Sequence, residues 1–591
     1  MKKTLLFAIL IGCTSLIQAQ ESFTELPDHN KPCIEEWEGV KGTHAAWGTS
    51  NVRYAWHSLP DIKDLKHSET LYAWRGERVS TQALIYTKVA LDSLSPLSIH
   101  LSDFNSGRHS LPAHAVKAAF VRYVRTDSWS TPDGRGAGCG HRPDQTLYDS
   151  AMVADMIDPH AKVIGMDAMS TRSVWVSCQI PTDAAPGTYS GMLTIKTGKR
   201  IITKLPLYIK VADRTLPEPA DWHFHLDLWQ NPFAEARYYS TPLWSDAHFE
   251  AMRPSMEMLA ASGQKVITTS IMHKPWNGQT EDHFDSMVTW TRKLDGTWEF
   301  GFEVFDRWVE FMMSCGINEQ INCFSMIPWA LSFPYYDVAT NRMQVLRAAP
   351  GDSSYEDMWV AMLKSFSQHL REKGWFAITT IAMDERPMHA MQKAMAVIRK
   401  ADPEFKVSLA GNWHPEIEAD LYDYCIALNQ AEMLPKEVFD RRKTEGKKTT
   451  IYTCCSTHKP NTFTFSIPAE AAWYGFYVAG THYDGYLRWA YNSWVKHPLH
   501  DTRFRQWPAG DTYMIYPHGR SSVRFEKLVE GIQAYEKIRI LREEFTAKGD
   551  TTKLTELDTL LRPLDFNSQY TEDFVTLIRQ AQEELNALGL R

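Results

Sequence analysis

Two acidic side chains stand side by side in Met383-Asp384-Glu385-Arg386-Pro387, at the end of the largely apolar run 378–384 (ITTIAMD). Pro387 suits the first turn of a following helix, so the pair falls on a strand-to-loop corner. Side chains alternate along a strand, and neighbours there point apart. Only where the chain bends can both reach one substrate. The acidic dipeptides Glu281-Asp282, Glu356-Asp357 and Glu572-Asp573 lack this placement and read as solvated charges. The competing reading of Asp384 and Glu385 is a pair of rim charges with no chemistry.

Nearby carboxylates push their pKa values apart, so one can stay protonated while the other is ionised. Breaking a glycosidic bond needs a protonated acid for the leaving oxygen and a nucleophile or base at the anomeric carbon. Adjacent residues are awkward for the arrangement in which two carboxylates flank the bond. They suit a sugar whose own 2-acetamido oxygen attacks. One carboxylate then protonates the leaving oxygen, and its neighbour holds the acetamido N–H and offsets the charge of the oxazoline-like intermediate.

Strand-like segments must position this corner. From residue 222 onward eight are expected: 222–228, 265–272, 321–327, 378–384, 406–411, 424–429, 449–454 and 485–491. Most are near-continuous apolar or small runs, as strands buried on both faces should be. Helical periodicity fills the gaps. In 356–373, Trp359, Met362, Leu363, Phe366 and Leu370 follow the i, i+3, i+4, i+7 rule, with Ser353 and Glu356 as a capping box. Eight such units predict a (β/α)₈ TIM barrel, with an open doubly wound sheet as the alternative. A last barrel helix is expected at 521–543, with further helices near 551–561 and 571–588. Before the barrel, short runs at 82–88, 97–101, 173–180, 188–196 and 204–211 predict an all-β sandwich. The proline-stiffened segment Thr215-Leu216-Pro217-Glu218-Pro219 separates the two. The expected division is a signal peptide (1–20), a β-sandwich (21–215), an α/β barrel (220–545) and a C-terminal helical extension (546–591).

A barrel active site lies at the C-terminal strand ends. Those ends supply Trp229, His273, Asn412, Trp413, His414, Asn429, Gln430, Tyr452, Trp489, Tyr491, Asn492 and Trp494. Amides and a phenol can read sugar hydroxyls or an acetamido carbonyl, and indoles can stack on a pyranose face. Each alone is more often packing; together they favour a pocket. Tyr452 is the candidate for the acetamido oxygen and Trp489 for the stacking floor.

The 591 residues are 44% hydrophobic and 23% charged, with net charge −8 and no long basic run. Nucleic acid and anionic membrane surfaces are therefore poor partners. Lys2 and Lys3 followed by an apolar stretch from Leu5 to Ile17 read as an export signal, too short to span a bilayer. Cleavage after Ala19 would leave a periplasmic or secreted protein; a lipobox at Leu10-Ile11-Gly12-Cys13 would leave a lipid anchor on Cys13. The later cysteines match no zinc framework. Adjacent Cys454-Cys455 reads as two buried thiols at a strand end, and no disulfide is assigned.

These residues resemble glycoside hydrolase family 123, exo-acting β-N-acetylgalactosaminidases and their relatives. The likeness runs through Trp74-Arg75-Gly76-Glu77-Arg78 with Gln82, and from Trp175 to Pro186-Gly187-Thr188-Tyr189-Ser190-Gly191. It continues in Asp384-Glu385, Tyr452-Thr453-Cys454, Gly485-Tyr486-Leu487-Arg488-Trp489 with Asn492 and Trp494, and in Arg524, Glu526 through Gly531 and Tyr535-Glu536. The resemblance implies Glu385 as acid/base, Asp384 as the residue orienting the acetamido group, and a retaining, substrate-assisted reaction without metal or cofactor. It also implies a preference for galacto sugars on a glycan with a terminal N-acetylhexosamine.

Two other readings compete. His223-Phe224-His225 could open an amidohydrolase-like metal site with Asp384, His414 and Asp484, although the histidines sit at the wrong end of their strand. The same architecture could also bind carbohydrate without cleaving it.

Overall fold

The computed structural model describes residues 23–129, 148 and 150–590. The expected signal segment, Cys13 and Cys139 lie outside them.

The N-terminal region is built from two sheets. One runs in the order Thr43–Gly48, Arg78–Thr87, Ser170–Gln179, Val116–Thr126, Ala151–Asp158. The other runs Glu69–Arg75, Arg200–Thr215, Gly187–Thr197, Leu97–Leu101 and the short Val163–Ile164. Alternation decides which faces meet. Leu205, Leu207, Ile209 and Val211 recur at every second position of one strand and are buried. They share a core with Ala83, Ile85, Val174 and Val176 of the opposite sheet. This is a β-sandwich.

The eight expected parallel strands all form: His225–Leu228, Val266–Ser270, Gln320–Phe324, Thr379–Met383, Lys406–Gly411, Asp423–Ala427, Lys448–Tyr452 and Gly485–Arg488, here barrel strands one to eight. Each lies beside its neighbour in sequence, and strand eight pairs with strand one. The gap between strands one and two is bridged by Lys265 N–H to the Leu226 carbonyl at 3.0 Å, and by side chains. Gln264 accepts from Leu228 N–H at 2.9 Å and donates to the Val266 carbonyl at 2.7 Å. Gln230 accepts from Thr268 N–H at 2.9 Å and donates to the Leu228 carbonyl. Amides stand in for ladder bonds that the diverging strands cannot make. The sheet is a nearly closed barrel, not an open doubly wound sheet.

Local expectations differ from the structure in three places. The helix expected at 356–373 begins at Ser353, and its N-cap, Asp352, makes no side-chain cap bond, so the Ser353–Glu356 capping box does not form. Asp352 instead accepts from Ala349 N–H at 2.8 Å. Pro387 sits one residue before the helix Met388–Ala401 rather than in its first turn. The gaps flanking strand three also hold two hairpins, Thr289–Arg292 with Trp298–Gly301 and Ser332–Asp337 with Arg342–Arg347, joined into one four-stranded sheet. Asp295-Gly296 between Thr-Trp-Thr-Arg and Trp-Glu-Phe-Gly is a hairpin signal that the helical reading of these gaps passed over. The C-terminal helices are Val523–Lys548, Thr551–Leu561 and Phe574–Leu590.

Candidate active site

Parallel strands bring their C-terminal ends to one mouth, and there the acidic corner sits directly after strand four. Asp384 is half-buried and Glu385 is exposed. The two carboxylates find different partners. Trp329 donates its indole N–H to Asp384 Oδ2 at 2.9 Å. Glu385 reaches to the end of strand seven, where the buried Tyr452 hydroxyl donates to its Oε1. Gly411, which ends strand five, lies beside it: a Cβ there would stand 3.8 Å from Glu385 Cα.

Burial raises the Asp384 pKa to about 6, assisted by the Glu385 charge and opposed by the Trp329 bond and the Arg386 guanidinium. Burial and the Glu385 charge hold the Tyr452 phenol well above its usual range, so it is a neutral donor. The corner therefore presents an aspartate whose pKa is raised to about 6 beside a glutamate held by a phenol.

The remaining residues separate by depth. Trp489 follows strand eight and is half-buried, with its indole N–H directed to Asp511 Oδ1 at 3.3 Å. That bond engages the edge of the ring. Asp511 is itself held by Arg488 at 2.7 Å, both fully buried. Asn412 is exposed and accepts from Gln430 Nε2 at 3.0 Å; Gln430 Oε1 accepts from Trp413 N–H at 2.7 Å. The Trp413 ring stacks on Tyr424, 5.7 Å between centroids. Asn429 is exposed just after strand six. His273, near the end of strand two, is bonded to Asp285 at 2.9 Å.

Three expected binding residues turn inward instead. Tyr491 is completely buried and donates to the Ser255 carbonyl at 2.8 Å. Trp494 is also completely buried, its indole N–H on the Ile515 carbonyl at 2.8 Å. Trp229 is buried against Trp276 and Phe324, centroids 4.9 and 4.6 Å away. With no open ring face and their polar edges used, the first two are packing residues, and Trp229 lines the core beneath the mouth.

Cys454 and Cys455 follow strand seven, and here the expectation of two thiols is corrected: Cys455 is disulfide-bonded. Cys454 is a thiol whose pKa burial raises to about 11. The residues of the metal reading lie at opposite ends of the barrel. His225 starts strand one, buried with its Nε2 3.5 Å from Asp423 Oδ2, whereas Asp384 follows the far end of strand four. A cavity of about 900 Å³ opens among the N-terminal strand ends, lined by His223, Lys265, Glu319, Lys448 and Asp484, on the face away from the acidic corner.

Trp329, Arg386 and Asp511 were not among the sequence candidates. Trp329 follows strand three closely, so extending the strand-end rule to that strand would have found it. Asp511 lies in the long segment between strand eight and its helix, where no local pattern marks it.

Comparison with known proteins defines the class. Residues 229–541 match the model of the glycoside hydrolase 123 catalytic domain, more than half the chain, and residues 47–197 match the glycoside hydrolase 123 N-terminal domain. The protein is thus a glycoside hydrolase, an enzyme acting on glycans, and the chain belongs to family 123. It is similar over 93% of its length, and 98% of the other chain, to a family 123 glycoside hydrolase from Clostridium perfringens, with 25% identity and a TM-score of 0.83; that structure's subject is glycolipid glycan hydrolysis. A Bacteroides ovatus GH5 xyloglucanase in complex with a XXXG heptasaccharide aligns over 78% of this chain and 98% of its own, at 10% identity and a TM-score of 0.29, too distant to inform the site. Comparison with curated proteins finds no match.

Proposed function

We propose that the enzyme releases terminal β-linked N-acetylgalactosamine from glycans as an exo-acting, retaining hydrolase in which the substrate's acetamido group is the nucleophile. The observation that carries this reading is the division of partners at one corner: Asp384 bonded to an indole, Glu385 to a phenol. Glu385 protonates the departing glycosidic oxygen, then takes a proton from the water that opens the oxazoline-like intermediate. Asp384, ionised, accepts the acetamido N–H and offsets the positive charge that grows on the ring. Tyr452 donates to the acetamido oxygen once substrate draws its hydroxyl from Glu385. Trp489 offers its face to the sugar, and Asn412, Trp413, Asn429 and His273 form the rim that reads hydroxyls.

The membership in family 123 and the glycolipid glycan subject of the Clostridium perfringens relative support a glycan with a terminal N-acetylhexosamine as substrate. The charged and apolar N-terminal segment supports export to the periplasm or beyond, with a lipid anchor at Cys13 as the other outcome.

The test is a panel of aryl β-glycosides: GalNAc, GlcNAc, galactose and glucose. Turnover is expected for the acetamido sugars, fastest for GalNAc, and only background for the plain sugars. Equal rates on the galactoside and its acetamido counterpart would rule out neighbouring-group participation.

A further inference from the structure

We propose that Trp329 is a positioning residue for Asp384: its indole N–H fixes one carboxylate oxygen so that the other meets the substrate's acetamido N–H, while Arg386 braces the indole from its face. This rests on the role given to Asp384 above. The side chain is placed for such a task rather than for packing. It is 41% exposed, unusual for a tryptophan whose polar edge is used inside the protein. Its Nε1 lies 2.9 Å from Asp384 Oδ2. The Arg386 guanidinium carbon lies 4.9 Å from its ring centroid, within cation–π range. Its backbone N–H is tied to the Pro275 carbonyl at 3.2 Å, linking the loop after strand three to the one after strand two. The ring is thus held between the acid and the base of a single chain corner.

A neutral donor suits the chemistry better than a cationic one. The carboxylate must remain a strong acceptor for a substrate N–H and must oppose developing positive charge. A lysine or arginine bonded directly to it would spend that charge. An indole sets the plane of the carboxylate and leaves its charge intact. Arg386 lies over the face of the ring, 4.9 Å from its centroid.

Trp329→Phe keeps the ring and the stack but removes the donor. Its kcat/KM on an aryl β-N-acetylhexosaminide is expected to fall about 10- to 100-fold, the scale of a hydrogen bond to a charged group. The acidic limb of the pH profile should move to higher pH, because the lost bond favoured ionised Asp384. Trp329→Gln, which retains a neutral N–H donor, should place that limb closer to wild type, and the melting temperature of both variants reports that they fold. A Trp329→Phe enzyme whose acidic limb stays at the wild-type pH, whether fast or slow, overturns the assignment, as does a Gln variant no better than the Phe variant. Asp384→Asn, measured alongside, separates the two readings: full turnover there would remove the catalytic role of Asp384 itself, whereas an inactive Asp384→Asn beside an unaffected Trp329→Phe removes only the positioning role.

Discussion

Asp384 and Glu385 are neighbours in sequence, yet they bond to different partners, and the proposed reaction gives them different tasks. Glu385 is the proton donor in the proposed reaction, so Glu385→Gln should lower kcat by roughly 10²–10⁴-fold on substrates with poor leaving groups. The loss should be far smaller on aryl glycosides whose leaving group needs little protonation; a uniform loss across leaving groups would remove Glu385 as the acid. In that reaction Asp384 is ionised to hold an acetamido N–H, and burial lifts its pKa to about 6. Below that pH it is protonated and ineffective; above it, charged. A pH profile of kcat/KM should therefore fall on its acidic side with a midpoint near 6. Asp384→Asn should abolish that limb at a much reduced plateau.

At the scale of elements, the barrel depends on two close approaches that local sequence patterns do not advertise. One is the seam between strands one and two, where Gln230 and Gln264 supplement a single main-chain bond. The other is the crossing of helices Pro468–Gly480 and Val523–Lys548. A Cβ on Gly475 would lie 1.7 Å from the Gly531 carbonyl oxygen, and one on Gly531 only 2.4 Å from the Ala472 oxygen. The backbones touch, so Gly531→Ala must push the helices apart. Overpacking of this kind costs ~1–3 kcal/mol, and more where only backbone can yield. A clearly lower unfolding midpoint in denaturant is expected, despite the better helix propensity of alanine; an unchanged midpoint would mean that the crossing is looser than these distances.

Across the whole molecule, sandwich and barrel are joined by buried charge. Asp155 of the sandwich, fully buried, accepts from Arg524 Nε at 3.0 Å and from the Tyr516 hydroxyl at 2.7 Å, and pairs with the Arg53 guanidinium at 3.0 Å. Ser521–Ser522, at the start of the helix that carries Arg524, also extends the sandwich sheet along Ala151–Asp158. Burial alone would raise the Asp155 pKa, but Arg524 and Arg53 outweigh it and hold the pKa low. A depressed folded-state pKa adds stability above the unfolded value of about 4, and that stability is lost as pH falls through the folded value. Arg524→Met leaves Asp155 short of a partner and should cost ~3–5 kcal/mol. The same substitution should raise the pH at which acid unfolding sets in, measured by circular dichroism against wild type. An acid transition at the wild-type pH would show that Arg53 alone carries the charge.

Much of this was legible in the chain alone. Strands buried on both faces must be apolar throughout, so all eight barrel strands and their order could be read, and with them the corner that holds Asp384 and Glu385. The sandwich followed from alternation and turn residues for the same local reason. What lay beyond the sequence depends on depth and distance. Tyr491 and Trp494 follow strand eight just as Trp489 does, and only the packing of the finished barrel closes over two of the three. Trp329 is 55 positions from Asp384 and bonds to it because adjacent strands end together. Periodicity reports which way a side chain faces along its own element; which distant group it meets is settled when the barrel closes.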